Sequence, residues 1–162
     1  MLAVAAIAVI VALDQWSKYW AIHVLKEAVV LPGVPGVFQF FYVENRGAAF
    51  SIMQNKQLTL ILVTAAVLAF AGLALYKRWI THPLGKWSLF LIVGGAIGNL
   101  IDRIRLGYVV DMIDLTFMRF AVFNVADCFV TVGTILFAVY LLLYYEKTEK
   151  KDQVQIDDTK GD

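Results

Sequence analysis

The chain has 162 residues, of which 60% are hydrophobic and 17% are charged, and its net charge is +1. Soluble domains contain about 45–50% apolar and about 25% charged residues, so this composition is typical of a protein surrounded by lipid. The small net charge excludes the basic surface of a nucleic-acid-binding protein. One cysteine excludes an internal disulfide framework, and the two histidines lack metal-ligand spacing, so we expect no metal and no cofactor.

Four stretches are long and apolar enough to cross a bilayer, which requires about 20 mostly apolar residues. They predict transmembrane helices over residues 1–22, 58–76, 87–104 and 120–145, within one integral membrane domain, 1–145. The predicted fold class is therefore an all-α membrane protein. Residues 146–162 are abruptly polar and are predicted to form a solvated cytoplasmic tail.

The basic residues of the short loops predict the orientation, because they concentrate on the cytoplasmic side of a membrane. The loop between the second and third spans and the tail carry Lys77, Arg78, Lys86, Lys147, Lys150 and Lys151. Both termini are therefore predicted to be cytoplasmic. The first outer segment, residues 23–57, contains β-rich runs separated by Pro-Gly pairs, which predicts a small extracytoplasmic cradle between helices 1 and 2.

With this topology, the polar residues of the spans gather near the outer face of the membrane. They are Asp14, Asn99, Asp102, Arg103, Asn124 and Asp127, while Asn45 and Asp111 lie in the outer segments. A charged group at membrane depth costs roughly 3 kcal/mol on insertion scales, so each is a functional candidate. The alternative is structural: Asp14 would pair with Lys18, and Asp102 with Arg103, only to hold helices together.

Two carboxylates at one site would be able to hydrolyse an amide. If Asp111 and Asp127 face each other, they cannot both ionise cheaply, so the pair shares a proton. The ionised member can then draw a proton from water while the protonated member polarises a carbonyl group. Cys128 has no histidine nearby to activate it, so we interpret it as a packing residue.

Five blocks of the sequence resemble the signature blocks of the bacterial lipoprotein signal peptidases, or signal peptidase II, and occur in that family's order. They are residues 14–18, 45–51, 94–103, 109–111 and 123–127. The resemblance implies an aspartyl endopeptidase of the bacterial plasma membrane with its active site near the outer face. It would remove signal peptides from diacylglyceryl-modified prolipoproteins by cleaving before the lipidated cysteine.

The resemblance also implies roles for individual residues. Asp111 and Asp127 would form the catalytic dyad. Asp14 and Asp102 would not contact the substrate but would orient the side chains that donate hydrogen bonds to it. The substrate would be bound by Asn45, Gly47, Asn99, Arg103 and Asn124. The implied partners are the lipid-modified substrate and membrane lipids, and a site enclosed by one chain suggests a monomer. The family often has serine at position 128, and the connection from 111 to 127 is short.

Other classes of protein remain open at this point. A presenilin-like protease would also use two aspartates, but its GxGD block is absent. A small proton-coupled transporter could use intramembrane aspartates to carry protons, but would show polar groups through the bilayer depth or an inverted repeat. A four-helix scaffold would have little reason to bring Asp111 and Asp127 together.

Overall fold

The computed structural model describes residues 2–47 and 56–145. Its elements in chain order are α1 (Leu2–Ala28), β1 (Val30–Val34), β2 (Phe38–Asn45), α2 (Gln57–Tyr76), α3 (Pro83–Arg105), β3 (Val109–Leu115) and α4 (Val125–Tyr145). Each helix is long and apolar enough to cross a membrane, which confirms the predicted four-helix membrane fold. The predicted tail, 146–162, and the end of the 45–51 block lie outside the described residues.

Three helix ends differ from the predicted bounds, and local structure explains each difference. α1 continues past residue 22 through a π-helical turn, Ala21–Leu25, before a last turn ending at Ala28. α3 begins at Pro83 because the Nδ1 atom of His82 caps it, accepting the backbone N–H of Leu84. α4 begins at Val125, after the predicted start at 120, because Asn124 is its N-cap.

A small antiparallel sheet, in the order β1-β2-β3, lies against the end of α1. Its third strand comes from the segment between α3 and α4, which was predicted only as an outer connection. Side chains alternate between the two faces of a strand. On β3, Val110 and Met112 pack against Ala21 and Leu25 of α1, so Asp111, between them, faces the opposite side.

Glycines let α3 approach α1 and α4 closely. Gly94 lies against Ile10 of α1, and Gly95 lies against the backbone of Ala126 in α4. Gly98 lies against the carboxylate of Asp14, again on α1. Small residues four positions apart, as Gly94 and Gly98 are, allow helices to pack closely. The contacts bring the polar groups of the three helices within hydrogen-bonding distance.

The substitution Gly95→Ala is expected to lower thermal stability in detergent by about 1–3 kcal/mol. A Cβ atom at this position would overlap the carbonyl oxygen of Ala126 and lie 2.8 Å from a methyl group of Val130. Gly72→Ala is the matched control, because no atom lies within 4 Å of its added Cβ and alanine favours a helix. Equal losses of melting temperature in the two variants would contradict this packing.

Candidate active site

Asp111 and Asp127 line the same cavity, which has a volume of about 550 Å³. Its lining also includes the polar residues Asn45, Asn99, Arg103 and Thr131. Apolar residues form most of the remaining wall, including Leu115, Phe120, Phe123, Val130 and Val132. The cavity thus combines a small group of polar side chains with a wide apolar surface.

The side chain of Asp111 is fixed at both of its oxygens. Asn45 lies diagonally across the strand pair on the same face, because Val43 pairs with Asp111 and Asn45 with Val109. Its Nδ2 atom donates to Asp111 Oδ2 at 2.9 Å, and Asn124 Nδ2 donates to Asp111 Oδ1 at 2.6 Å. The residue is only 1% exposed, so two amide groups take the place of solvent.

Burial raises the pKa of Asp111 to about 7, and the nearby charge of Asp127 adds to this rise. The hydrogen bonds from Asn45 and Asn124 act in the opposite direction. Burial outweighs them, because few other groups can replace the water that an ionised carboxylate loses. Asp111 therefore holds its proton to a much higher pH than an ordinary aspartate.

Asp127 is placed by the start of α4. It occupies the third position of the helix, where its backbone N–H donates to Asn124 Oδ1 at 3.0 Å and its Oδ2 accepts the backbone N–H of Asn124 at 3.2 Å. This reciprocal arrangement is a capping box. The other carboxylate oxygen, Oδ1, accepts a hydrogen bond from Asn99 Nδ2 at 2.8 Å.

Asn124 therefore connects the two aspartates directly. Its side-chain oxygen accepts from the backbone of Asp127, so its amino group is left to donate to Asp111. It is fully buried, and an amide has one acceptor end and one donor end. The same residue that starts α4 consequently fixes both carboxylates around one cavity.

Behind Asn99 lies a buried charge cluster, defined here as Asp14, Lys18 and Asp102. The Lys18 ammonium lies 2.9 Å from Asp14 Oδ2 and 3.1 Å from Asp102 Oδ2. It also donates to Asn99 Oδ1 at 2.8 Å. The predicted Asp14–Lys18 pair is therefore present. Asp102 was considered as a partner of Arg103, but its ion pair is with Lys18.

The two acids of the buried charge cluster also hold backbone groups. Asp14 Oδ1 accepts the N–H of Ala126 at the start of α4, at 2.9 Å. Asp102 Oδ2 accepts the N–H of Val110 on β3, at 3.1 Å. Each of these backbone groups is adjacent in sequence to one of the two cavity aspartates, so the cluster anchors both elements that carry them.

Arg103 extends along the cavity beside both aspartates. Its terminal nitrogens donate to the carbonyl oxygens of Gly47 and Asn99, at 3.3 and 3.4 Å. Its Nε atom is buried and has no hydrogen-bond partner among residues 2–47 and 56–145. Gly47 is itself fixed by Asn45, whose Oδ1 accepts the Gly47 N–H at 2.9 Å. All the residues predicted for the site thus lie in one connected region.

Sequence reasoning overlooked two residues that complete this region. Lys18 was considered only as a partner of Asp14, and Gln15 only as part of a resembling block. Gln15 Nε2 lies 3.2 Å from Asp14 Oδ2 and 3.0 Å from Asp102 Oδ1. The available signal was four polar residues within five positions of a largely apolar helix, since a lysine at such depth needs several partners.

Among residues 2–47 and 56–145, no three His, Cys, Asp or Glu side chains are grouped so that they could hold a metal ion. Cys128 is half-buried beside Asp127 and lines the cavity. The described lining residues bring together two carboxylates with amide and guanidinium donors around them.

Comparisons with known proteins give a consistent result. A family model described as Signal peptidase (SPase) II matches residues 6–143. The lipoprotein signal peptidase of Streptococcus thermophilus (strain CNRZ 1066) is 45% identical over 142 residues, which cover 88% of this chain and 92% of that relative. The lipoprotein signal peptidase of Clostridioides difficile (strain 630) is 42% identical over 148 residues, covering 91% and 99%.

Two solved structures of bacterial membrane enzymes, obtained by the in meso method, have the same fold. The structure at 2.3 Å resolution gives a TM-score of 0.83 at 29% identity and covers 87% of each chain. The structure at 1.9 Å gives 0.80 at 28% identity, covering 88% of this chain and 94% of the other. The structural similarity thus covers most of this chain.

The four apolar helices and the family match together define a multi-pass membrane peptidase. The family model covers most of the chain. The two lipoprotein signal peptidases described above are more than 40% identical to it along nearly their whole length. The chain belongs to the signal peptidase II family.

The raised pKa of Asp111 predicts a pH-dependent contribution to stability. Between about pH 4 and pH 7 the folded protein keeps a proton that the unfolded chain releases, so this contribution is lost as the pH rises through that range. In Asp111→Asn this loss is absent. The melting temperature of the variant in detergent, measured from pH 4 to pH 8, should therefore rise relative to that of the wild-type protein as the pH rises. A constant difference between the two proteins would contradict the buried, protonated carboxyl.

Proposed function

We propose that this chain is a membrane aspartyl endopeptidase that removes signal peptides from diacylglyceryl-modified prolipoproteins, cleaving before the lipidated cysteine. The observation that carries the proposal is the attachment of Asp111 and Asp127 to the two ends of Asn124 at one cavity. The name of the relatives, lipoprotein signal peptidase, supports the class of substrate. Because family membership favours a peptidase, the proton-coupled transporter is not proposed.

In the proposed mechanism the dyad holds one proton near neutral pH. Asp111, whose pKa is raised to about 7, would hydrogen-bond to the scissile carbonyl oxygen and transfer its proton to that oxygen as the water attacks. Ionised Asp127 would take a proton from water as the water attacks the carbonyl carbon. That proton would then pass to the leaving amine as the C–N bond breaks, while the hydroxyl proton of the intermediate returns to Asp111. No covalent intermediate is formed.

The residues around the dyad are proposed to bind the substrate backbone. Arg103 is the strongest candidate, because its buried Nε atom has a proton to donate and no partner within the described residues. The backbone of Gly47, which contacts Arg103, would bind the substrate beside it. Asn45, Asn99 and Asn124 donate to the aspartates, so we propose that they serve both dyad and substrate.

The apolar wall of the cavity supports a substrate that enters from the membrane. Phe120, Phe123 and Val132 line it, and α4 carries other apolar side chains that are exposed and would meet lipid. A lipid-anchored peptide could keep its acyl chains in the bilayer while its backbone reaches the aspartates. We propose that membrane lipids surround a single chain, which acts as a monomer.

We further propose that the protein lies in the bacterial plasma membrane as one domain, residues 1–145, with both termini in the cytoplasm. Lys77 and Lys86 flank the loop between α2 and α3, at the end of α3 that is remote from the sheet. The positive-inside rule then places the sheet outside the cytoplasm, as a cradle beside the active site. The tail, 146–162, would be cytoplasmic.

The substitutions Asp111→Asn and Asp127→Asn should each abolish cleavage of a diacylglyceryl-modified prolipoprotein, because neither variant can complete the proton transfers. We expect turnover to fall by at least about 1,000-fold, a loss of roughly 4 kcal/mol of transition-state stabilisation. Cleavage by purified protein in detergent micelles, followed by the mass of the released products, measures this.

Asp114→Asn is the matched control for these two variants. Asp114 lies on the same strand as Asp111, but its carboxylate accepts a hydrogen bond from Gln39, at 2.7 Å, away from the cavity lining. It should retain turnover within about twofold. If either dyad variant retained turnover while remaining folded, the assignment of the dyad would be wrong.

Fusions to reporter proteins test the proposed orientation. Green fluorescent protein fused after residue 162 should fluoresce, because it folds in the cytoplasm, whereas alkaline phosphatase inserted at the turn between Val34 and Phe38 should be active only after export. Fluorescence and phosphatase activity in intact bacterial cells measure the two positions. The reverse pattern would contradict the cytoplasmic termini.

A further inference from the structure

Lys18 is a buried cation that the proposed chemistry does not use. Its side chain is 3% exposed, and its ammonium group contacts three oxygens, on Asp14, Asp102 and Asn99. An ammonium has three protons to donate and no acceptor. All three protons of the Lys18 ammonium therefore have an acceptor. Two acceptors are carboxylates, and the third is the neutral amide of Asn99.

The contact with Asn99 determines how the amide of that residue is oriented. Because the Lys18 ammonium can only donate, the atom of Asn99 that faces it has to be the oxygen. The amino group of Asn99 consequently points the other way, toward Asp127 Oδ1, at 2.8 Å. Without this constraint the amide could rotate and present its oxygen to the carboxylate, which an ionised Asp127 would disfavour.

We infer that Lys18 is a positioning residue for the reaction: it fixes the Asn99 amide so that Asp127 always receives a donor, and thereby keeps Asp127 as the base of the dyad. This inference rests on the proposed dyad. The capping box supplies a second donor to the same carboxylate, so both oxygens of Asp127 accept hydrogen bonds. The pKa of Asp111, raised by burial, agrees with the proton residing there.

Other charged and titratable groups around this contact would influence any pH profile. They come from every element packed against it and are Asp14 on α1, Asp102 and Arg103 on α3, Asp111 on β3, and Asp127 and Cys128 on α4. None of these residues is replaced in the Lys18, Gln15 and Asn99 variants described below, although Asn99→Asp adds a carboxylate. The charge of Lys18 also lowers the pKa of Asp111, so its removal acts on that side of the dyad as well.

The principal variant is Lys18→Met, which keeps the length of the side chain and removes its donors. We expect kcat to fall by about 100-fold, the scale of a small misplacement of a reacting group. KM should stay within about twofold, since Lys18 does not itself line the cavity and reaches it only through Asn99. The acidic limb of the kcat profile should also move to higher pH, because an ionised Asp127 would have lost a fixed hydrogen-bond donor, the amide of Asn99.

Gln15→Met is the matched control, because it shows what happens when a residue that only supports the structure of the buried charge cluster is lost. Gln15 donates to the same two acids, Asp14 and Asp102, from the same turn of α1, and also to the carbonyl oxygen of Gly98. It should lower the melting temperature without moving the pH profile of kcat. If Lys18→Met kept the wild-type kcat and pH profile, or lost activity with an unmoved acidic limb, the inference would be overturned.

A second variant decides the question if Lys18→Met does not fold. Asn99→Asp keeps an oxygen facing Lys18 but replaces the amino group that faces Asp127 with another oxygen. The inference expects a loss of kcat of at least about 100-fold, with the acidic limb at higher pH, and an unchanged profile would overturn it. Loss of turnover in Asp111→Asn and Asp127→Asn, measured in parallel, shows whether a failure concerns Lys18 alone or the proposed dyad.

Discussion

The ammonium group of Lys18 lies among oxygens supplied by two helices, buried from the surface of the protein. A buried ion loses several kcal/mol of hydration free energy unless its partners replace that hydration completely. Here Asp14 and Asp102 replace it, and each acid uses its second contact to hold the backbone beside Asp111 or Asp127. The positions of β3 and α4 therefore depend on one buried charge cluster, which tolerates little displacement.

Two kinds of local structure present the aspartates to the cavity. Asp111 faces it because alternation along β3 sends its neighbours, Val110 and Met112, toward α1. Asp127 faces it because the capping box fixes the third residue of α4. A strand and a helix terminus are both rigid, so the two carboxyl groups are held in place before any substrate arrives, as an acid–base site requires.

Much of this arrangement could be predicted from the sequence, because a bilayer imposes simple rules. Apolar stretches of about 20 residues marked the helices, and polar residues inside them marked the site. The strand containing Asp111 was not predicted, because its hydrogen-bonding partner, β2, is distant in sequence and a short run such as Val109–Leu115 carries little periodicity. The start of α4 was also placed too early, since the apolar residues before Asn124 resemble a span, although one of them, Phe123, pairs with Ile113 of β3.

The partners of individual charges were the hardest feature to predict. Spacing on one helix suggested Asp14 with Lys18, and that pair exists, but adjacency suggested Asp102 with Arg103, and Asp102 instead reaches across to Lys18. Which of two neighbouring cations an acid contacts depends on how closely two helices approach. That approach is set here by glycines such as Gly98, which lies against the carboxylate of Asp14.

The spacing of Asp14 and Lys18, one turn apart on α1, also bears on how the chain enters the bilayer. A nascent protein is delivered to the membrane from its N-terminus, so α1 arrives before α3 can offer Asp102 or Asn99. At that stage the lysine already has an opposite charge beside it on its own helix, and the segment can insert with no net charge in its apolar part. The ion pair that later organises the folded molecule thus first serves the biogenesis of its opening helix.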